Sequence, residues 1–376
     1  MDSAKPRLQA EVRQELSRLG FTQIRFARPP LGAAALRFEE WLQRGYQGEM
    51  KYLERGSPER KDPNRLLAGF KSLIVLGYGY DSALPNTANP LEGNISRYAW
   101  GEDYHAVVGA KLESFSSWLK SRMPQSRLFY GVDAAPILEK AWAEQAGLGW
   151  LGKHTNMIDP ECGSYFFLAV LLSDLEFAPD AAQADRCGLC TRCIEVCPTR
   201  AIVAPYRLDA RLCISYLTIE LKGPIPRDLR PLVGNHIFGC DDCQEVCPWN
   251  RFSRPTAEGR FFPRPALRNQ PLLSFLSLDE AAFKKKFAGS AVLRAKRRGF
   301  LRNVCVAIGN SGHPESAKAL LPALRDSEAL VRGHAVWAYA RLLGEQARPA
   351  LEELKVKEKD AWVCEEIEAA LINLPL

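Results

Sequence analysis

The sequence predicts a multidomain protein of the α/β + α class, and three observations carry that expectation. Helix-like and strand-like segments alternate over roughly the first 180 residues, cysteine and proline crowd residues 186–249, and two helical segments near the C-terminus superpose with a 30-residue offset. A chain of 376 residues also exceeds what one hydrophobic core usually serves. The expected divisions are an α/β domain over residues 1–180, a cysteine-rich domain with its linker over 181–275, and a helical-repeat domain over 276–376.

In the first domain Leu8, Val12, Leu16 and Leu19 recur at helical spacing, and FTQIRFA from Phe21 favours a strand. ALRFEEWLQRG then reads as a helix and SLIVLGYGY as a buried strand running into glycines. A long helix is expected from Asp103, a strand at RLFYGVD, a helix through ILEKAWAEQAG closed by Gly147 and Gly149, and a buried strand at SYFFLAVLL. Residues 251–275, rich in Arg, Pro and Phe, read as a wrapping linker. Beyond them LRNVCVAIGNSG from Leu301 aligns with VRGHAVWAYARLLG from Val331, and WVCEEIEAALINL from Trp362 is a fainter third copy. The small residues Cys305 and Ala335 share one aligned position where helix layers can pack, which indicates a short HEAT-like α-solenoid and hence a large partner.

Charge points the same way. Between Arg251 and Arg302 stand 13 Lys or Arg against Glu258, Asp279 and Glu280, so this segment carries +10 while the rest of the chain sums to −4. Lys284, Lys285, Lys286, Arg294, Lys296, Arg297, Arg298 and Arg302 occupy residues 281–302 with no acid among them, whereas the tail from Glu345 holds 8 acids against 4 bases. Clustered cations release counterions when they meet phosphates, so the basic segment suits a nucleic acid, against the blander alternative of a solvated helical face. The opening MDSAKPRLQAEVRQ has no apolar core and no twin arginine, and the longest apolar stretch, Tyr165 to Leu172, falls far short of the ~18 residues of a membrane span. A cytoplasmic protein with no membrane partner is expected, with its thiols reduced.

Eleven cysteines in that compartment call for metal rather than disulfides. Cys187, Cys190, Cys193 and Cys197, followed by Pro198, spell C-x2-C-x2-C-x3-C-P, the run that wraps a 4Fe–4S cluster in bacterial two-cluster ferredoxins. Fifty residues on, Ile237, Cys240, Cys243 and Cys247, followed by Pro248, repeat the spacing with the first ligand lost, and Cys213 is the natural replacement. Three thiolates on a tight turn reach three corners of one cubane, and the fourth points to the neighbouring cluster. This assigns Cys187, Cys190, Cys193 and Cys247 to one 4Fe–4S cluster and Cys240, Cys243, Cys213 and Cys197 to the other. Zinc is the competing metal, but its sites pair C-x2-C with a distant pair and lack the terminal proline. Cys162, Cys305 and Cys364 lie outside the pattern and read as small buried hydrophobes.

Two adjacent clusters form an electron relay, and spacing alone does not supply its terminus. No G-x-G-x-x-G follows a strand, and Asp103, Tyr104 and His105 fail the D-x-H-x-x-G cobalamin loop because Val108 stands where glycine is required. Asp133, between RLFYGV and AAPILEK, reads equally well as a helix N-cap and as a general acid at a pocket-forming strand-to-helix junction. His105 reads more readily as a helix-surface or hydrogen-bonded histidine than as a ligand.

The stretches RYAWGEDYH from Arg97, GVDAAPILEKAWAEQAGLGWLGKHTN from Gly131, CGLCTRCIEVCPTRAI and GCDDCQEVCPWN together resemble the epoxyqueuosine reductase family, from about Phe21 to the C-terminus. The resemblance implies an N-terminal cobalamin-binding catalytic domain, two 4Fe–4S clusters, and the last step of queuosine biosynthesis: reduction of the epoxide of epoxyqueuosine to queuosine at the wobble position of tRNA. It further implies that an external low-potential electron donor reduces cobalamin to a Co(I) nucleophile through the clusters, that this nucleophile attacks the epoxide, and that Asp133 donates the proton. By the same resemblance Arg60, Arg97, Asp133, Lys153, Asn156, Ser215 and Asp241 are candidates to contact the corrin, and Lys222, Arg297 and Arg298 to contact the tRNA anticodon stem-loop. A monomer is expected. Two other readings differ in detail: a corrinoid reductive dehalogenase has no need of a basic HEAT module, and a cluster-containing DNA glycosylase carries a single cluster with wider cysteine spacing.

Overall fold

Strands β1 (Gln23–Ala27), β2 (Ser72–Gly79), β3 (Leu128–Gly131) and β4 (Phe166–Ser173) form one sheet in the order β1-β2-β4-β3 in the computed structural model, which describes residues 4–374. Every pairing is antiparallel, with Leu73 opposite Ala27 on one side and Leu172 on the other, and Gly131 opposite Val170. The expected alternation of helix and strand is present, but the strand directions make the arrangement α+β in detail. Helix α1 (Ala4–Arg18) precedes β1, and α2 (Ala34–Gln43), α3 (Tyr104–Arg122) and α4 (Glu139–Gln145) lie between successive strands in sequence.

Side-chain alternation explains why the two central strands are buried almost throughout. Leu73 and Val75 of β2 with Val170 and Leu172 of β4 pack toward α4, where Trp142 and Ala143 close the core. On α3 the apolar positions Val108, Leu112, Phe115 and Leu119 are buried at helical spacing, as are Val12 and Leu16 of α1. Asp103 caps α3 by accepting the His105 N–H at 3.0 Å. The D-x-H pattern is thus the start of a helix.

Contacts divide the chain into two units, each drawn from three stretches. The first comprises Met1–Leu84, Gly101–Ala210 and Asp242–Phe262, and contains the sheet; the second comprises Pro85–Trp100, Arg211–Asp241 and Pro263–Leu376. Residues 251–275, expected as a linker, hold short 3-10 turns at Gly259–Phe261 and Pro265–Leu267, with Phe261 and Leu267 buried. Among the described residues no helix is long and apolar enough to cross a membrane.

In the second unit, Glu92–Ile95 lies between His236–Phe238, parallel to it, and Gln270–Pro271, antiparallel. The aligned repeats become helices α6 (Lys296–Asn310), α7 (Ala329–Leu343) and α9 (Ala361–Asn373), with α5 (Arg192–Val196) belonging to the first unit and α8 (Arg348–Lys357) preceding α9. Cys305 and Ala335 are fully buried, as the alignment requires. Close approach of successive layers uses glycine: a Cβ on Gly309 would stand 2.7 Å from the Trp337 ring, and one on Gly333 2.4 Å from Trp362.

Helix α6 is buried from Gly299 through Gly309, so its polar residues need internal partners. Arg302 is 1% exposed and donates to the carbonyls of Leu217, Leu221 and Gly223 at 2.5, 2.9 and 2.7 Å. These carbonyls lie in and just after the helix Ile214–Ile219, whose last turn has no internal donors. Arg302, counted above in the basic segment, is therefore withdrawn from any polyanion by its burial. Beside it Asn303 donates to Thr218 and Ile237 carbonyls at 2.8 and 2.9 Å. Asn303→Ala should leave both carbonyls buried and unpaired, at roughly 1–3 kcal/mol each. Thermal unfolding of the variant is expected to begin several degrees below wild type, and an unchanged melting temperature would refute this role for Asn303.

Candidate active site and metal centres

Asp133 stands two residues past β3, in the first unit, with φ +57, a left-handed conformation that L-residues other than Asn and Asp seldom adopt. The chain doubles back here: a Cβ on Gly131 would lie 2.4 Å from that of Ala135. Helix α4 begins only at Glu139 with Leu138 at its N-cap, so Asp133 does not cap it. The Asp133 side chain is 66% exposed. Its carboxylate accepts the Tyr104 hydroxyl hydrogen, and its backbone N–H donates to Glu139 Oε1 at 2.9 Å. His105, on the first turn of α3, places Nε2 3.9 Å from Asp133 Oδ2 and Nδ1 2.8 Å from Asp103. Tyr104 is held by its ring, stacked on Phe167 of β4 with centroids 4.3 Å apart.

Burial, and then the negative charge of Asp133, push the Glu139 carboxyl well above the usual carboxylate range. Arg60 is buried and its guanidinium is drawn down by that burial, with Glu139 and Asp133 among the charges acting on it. The structure thus brings Arg60 and Asp133 into one electrostatic neighbourhood. It adds Tyr104 and Glu139, which the sequence does not single out because neither belongs to a spaced motif.

The four cysteines expected to share a cluster converge. The Cys193 thiol is pushed up to about 11 by burial and then by Cys187, Cys247 and Cys190, and that of Cys247 is raised by burial, with Cys187 and Cys190 also raising it. Such crowding opposes ionisation until cations arrive, and iron supplies them. Lys153, buried beside this turn, donates to the carbonyls of Gly188 and Cys190 at 2.6 and 3.0 Å. Asn156 accepts from Lys140 at 3.1 Å and donates its N–H to His154 Nδ1 at 3.1 Å. Of the other four cysteines in the expected pattern, Cys197 and Cys243 belong to the first unit and Cys213 and Cys240 to the second. No disulfide joins any cysteine, and Cys305 is fully buried while Cys162 and Cys364 are half-buried.

Within the second unit Asp241 is 1% exposed and accepts the Arg97 N–H at 2.7 Å and the Ser96 hydroxyl. The Arg97 guanidinium lies 5.7 Å from the Trp100 ring centroid. Ser215 is half-buried on the turn after Cys213. Lys222 is exposed, but partial desolvation draws its ammonium down, and Arg294 and Lys296 add to that effect against Glu220. Arg297 is bound in bidentate fashion to Asp326 at 3.1 and 2.5 Å, whereas Arg298 is exposed. The basic patch therefore contains Lys222 and Lys296, with Arg294 beside them bound in bidentate fashion to Glu220, both bonds at 3.0 Å.

A family model for a 4Fe-4S double cluster binding domain matches residues 186–250, and one for HEAT repeats matches residues 290–372. Fold and site together define an iron–sulfur oxidoreductase with a HEAT-repeat module. A third model, described as "Epoxyqueuosine reductase QueG, DUF1730", matches residues 60–134. The epoxyqueuosine reductase of Pseudomonas aeruginosa is 42% identical over 341 residues, covering 89% of this chain and 94% of that protein. A crystal structure of an epoxyqueuosine reductase with an epoxyqueuosine-modified tRNA-Tyr stem loop superposes with a TM-score of 0.92 at 30% identity, covering 98% of this chain and 99% of that one. A Bacillus subtilis epoxyqueuosine reductase, solved with its catalytic aspartate loop swung out of the active site, gives 0.91 at 30% identity over the same shares of the two chains. The chain belongs to the epoxyqueuosine reductase family.

Lys153→Met should strip the Gly188 and Cys190 carbonyls of their buried donor. With roughly 0.5–1.5 kcal/mol lost for each of the two bonds to these solvent-accessible carbonyls, opening of the cluster turn should become about 5–150-fold more frequent. Iron release into a chelator is the readout, and a wild-type rate would show that the turn does not depend on this lysine.

Proposed function

We propose that this chain reduces the epoxide of epoxyqueuosine to the alkene of queuosine at the wobble position of tRNA, with Asp133 as the proton donor. The observation that carries the reading is the setting of Asp133: an exposed carboxylate on a turned-back loop, its oxygen on Tyr104 and its amide on Glu139, in a chain of this family. Removing the epoxide oxygen consumes an electron pair and two protons and releases water. An alkoxide leaves poorly, so a carboxylic acid that delivers a proton to the oxygen as its C–O bond breaks lowers the barrier. Tyr104 orients that acid through one oxygen and leaves the other toward solvent and substrate.

The family implies cobalamin, whose rim of amides needs donors and acceptors of hydrogen bonds. His154 supports the fit: Nδ1 accepts the Asn156 N–H, so the ring hydrogen is on Nε2, and that buried atom has no partner among the described residues. Burial holds the ring down to about 4, so it is a neutral donor at pH 7. We assign Arg60, Arg97, Asp133, Lys153, Asn156, Ser215 and Asp241 to holding the corrin. When bound, the corrin supplies a reduced cobalt nucleophile for the epoxide carbon, and the two clusters supply the low-potential electrons of an external donor. Cys187, Cys190, Cys193 and Cys247 would ligate one cluster and Cys197, Cys213, Cys240 and Cys243 the other. Functionally the chain would divide at 1–180, 181–275 and 276–376, and act as a cytoplasmic monomer.

On the tRNA side, Lys222 and Arg298 would meet backbone phosphates, with Lys296 extending the same surface. Arg297 would act by fixing the loop before α7 through Asp326. Exchange of Lys222 or Arg298 for glutamate should weaken binding of an anticodon stem-loop and lower the slope of log affinity against log salt by about one for each phosphate no longer neutralised. Fluorescence anisotropy at several salt concentrations measures this, and an unaltered slope in both variants would remove the patch from the interface.

The decisive experiment is anaerobic turnover of epoxyqueuosine-containing tRNA by reconstituted protein with a low-potential reductant, with and without cobalamin, scored by mass spectrometry. Loss of one oxygen that depends on cobalamin supports substrate and cofactor together, and no conversion by protein loaded with clusters and cobalamin sinks the reading. Asp133→Asn should keep both cofactors and lose turnover by roughly 10²–10⁴-fold.

A further inference from the structure

We propose that Glu139 is a positioning residue that latches the Asp133 loop by its backbone, so that the proton donor is presented at the reaction site rather than away from it. The inference rests on the reading of Asp133 as proton donor. Asp133 is held at two points by different elements. Its carboxylate is tied to Tyr104 of α3, and its N–H is tied to Glu139 Oε1, 2.9 Å away on the first turn of α4. The carboxylate changes protonation during turnover, so the Tyr104 contact is remade in every cycle. The amide does not, and its bond to Glu139 can persist throughout.

The loop needs such a bond. At φ +57 Asp133 sits in the left-handed region, which aspartate tolerates better than most L-residues, but its side chain is mostly exposed, so packing does little to hold the loop there. Neighbouring bonds, Ala134 N–H to Val132 O and Ile137 N–H to Ala135 O, lie within the loop and would travel with it. Glu139 is instead anchored on a helix whose Trp142 and Ala143 are fully buried against the sheet. The charged groups acting on Glu139 are Asp133, Lys140 and Arg60. None of them alters the need for an acceptor opposite the Asp133 amide, which either form of the carboxyl group provides.

The experiment compares Glu139→Ala, Glu139→Gln and Glu139→Asp in protein loaded with clusters and cobalamin. Two readouts are taken: steady-state reduction of an epoxyqueuosine-modified stem-loop, and hydrogen exchange of the segment 131–136. Removing the acceptor in Glu139→Ala should lower kcat by about 10–100-fold, leave KM within about twofold, and speed exchange of the segment by a similar factor to the loss in kcat. Glutamine keeps an acceptor oxygen at the same reach and should restore most of both. Aspartate withdraws it by one methylene and should behave like alanine, which keeps the test open if the alanine variant fails to fold. Wild-type exchange in Glu139→Ala or Glu139→Asp overturns the latch. So does a Glu139→Gln variant as slow as alanine with a displaced pH profile, since that would make the charge of Glu139 the active property. If Asp133→Asn turns over normally, the donor reading fails instead, and hydrogen exchange still decides whether Glu139 holds the loop.

Discussion

The position of β4 between β2 and β3 is the constraint from which the geometry of the candidate active site follows. Its register fixes Gly131 opposite Val170, and so fixes where β3 ends and the Asp133 loop begins. Three residues earlier Phe167 projects from the other face and stacks on Tyr104, setting the start of α3. One strand therefore positions both partners of the Tyr104–Asp133 hydrogen bond. Displacing β4 by one residue would exchange its two faces, burying Phe167 among the side chains under α4 and removing the seat of Tyr104. Antiparallel pairing allows this, because strands remote in sequence can end side by side without a common crossover pattern.

The parts of the protein that could be read in its sequence are those where physics imposes a spacing. A cubane takes three thiolates from one tight turn, so Cys187, Cys190 and Cys193 are legible as a group, and the matching run at Cys240 supplies Cys247. Helix layers pack through small residues at a fixed repeat, so Cys305 and Ala335 are legible as buried positions. Tyr104 and Glu139 obey no such rule: they reach Asp133 from two helices whose relation is set by the sheet. Asp133 lies between these cases, visible as a polar residue at a strand end but equally suited to capping a helix that begins later than its sequence suggests.

Charge is only partly legible for a related reason. Composition counts every arginine alike, yet the guanidinium of Arg302 completes the carbonyls at the end of a buried helix and that of Arg297 is closed on Asp326. Arginine suits these tasks because its planar group spreads several donors over separate acceptors and stays charged while buried. Lys222 is the contrasting case. It lies outside the basic segment in sequence, and the fold places it where Arg294 and Lys296 act on it. A polyanion would meet the cations left over after structural demands are satisfied, and those are chosen by packing.

The cluster turn shows how the same balance operates at a metal centre. Burial, and then the neighbouring Cys187 and Cys190, make the thiols of Cys193 and Cys247 resist ionisation, which disfavours the thiolate state before any metal binds. The surrounding chain nevertheless holds the turn in place: Asp185 accepts the Cys187 N–H at 2.7 Å, the Cys190 N–H returns to the Cys187 carbonyl at 3.1 Å, and Lys153 bridges the Gly188 and Cys190 carbonyls. Lys153 is itself restrained by a bond from the Tyr206 N–H to its carbonyl, while the Tyr206 hydroxyl reaches Asp185. The turn is thus braced from both ends by groups other than its sulfurs. Iron binding need not spend its energy on ordering the backbone, because the bonds made by Lys153, Asp185 and Tyr206 already hold it.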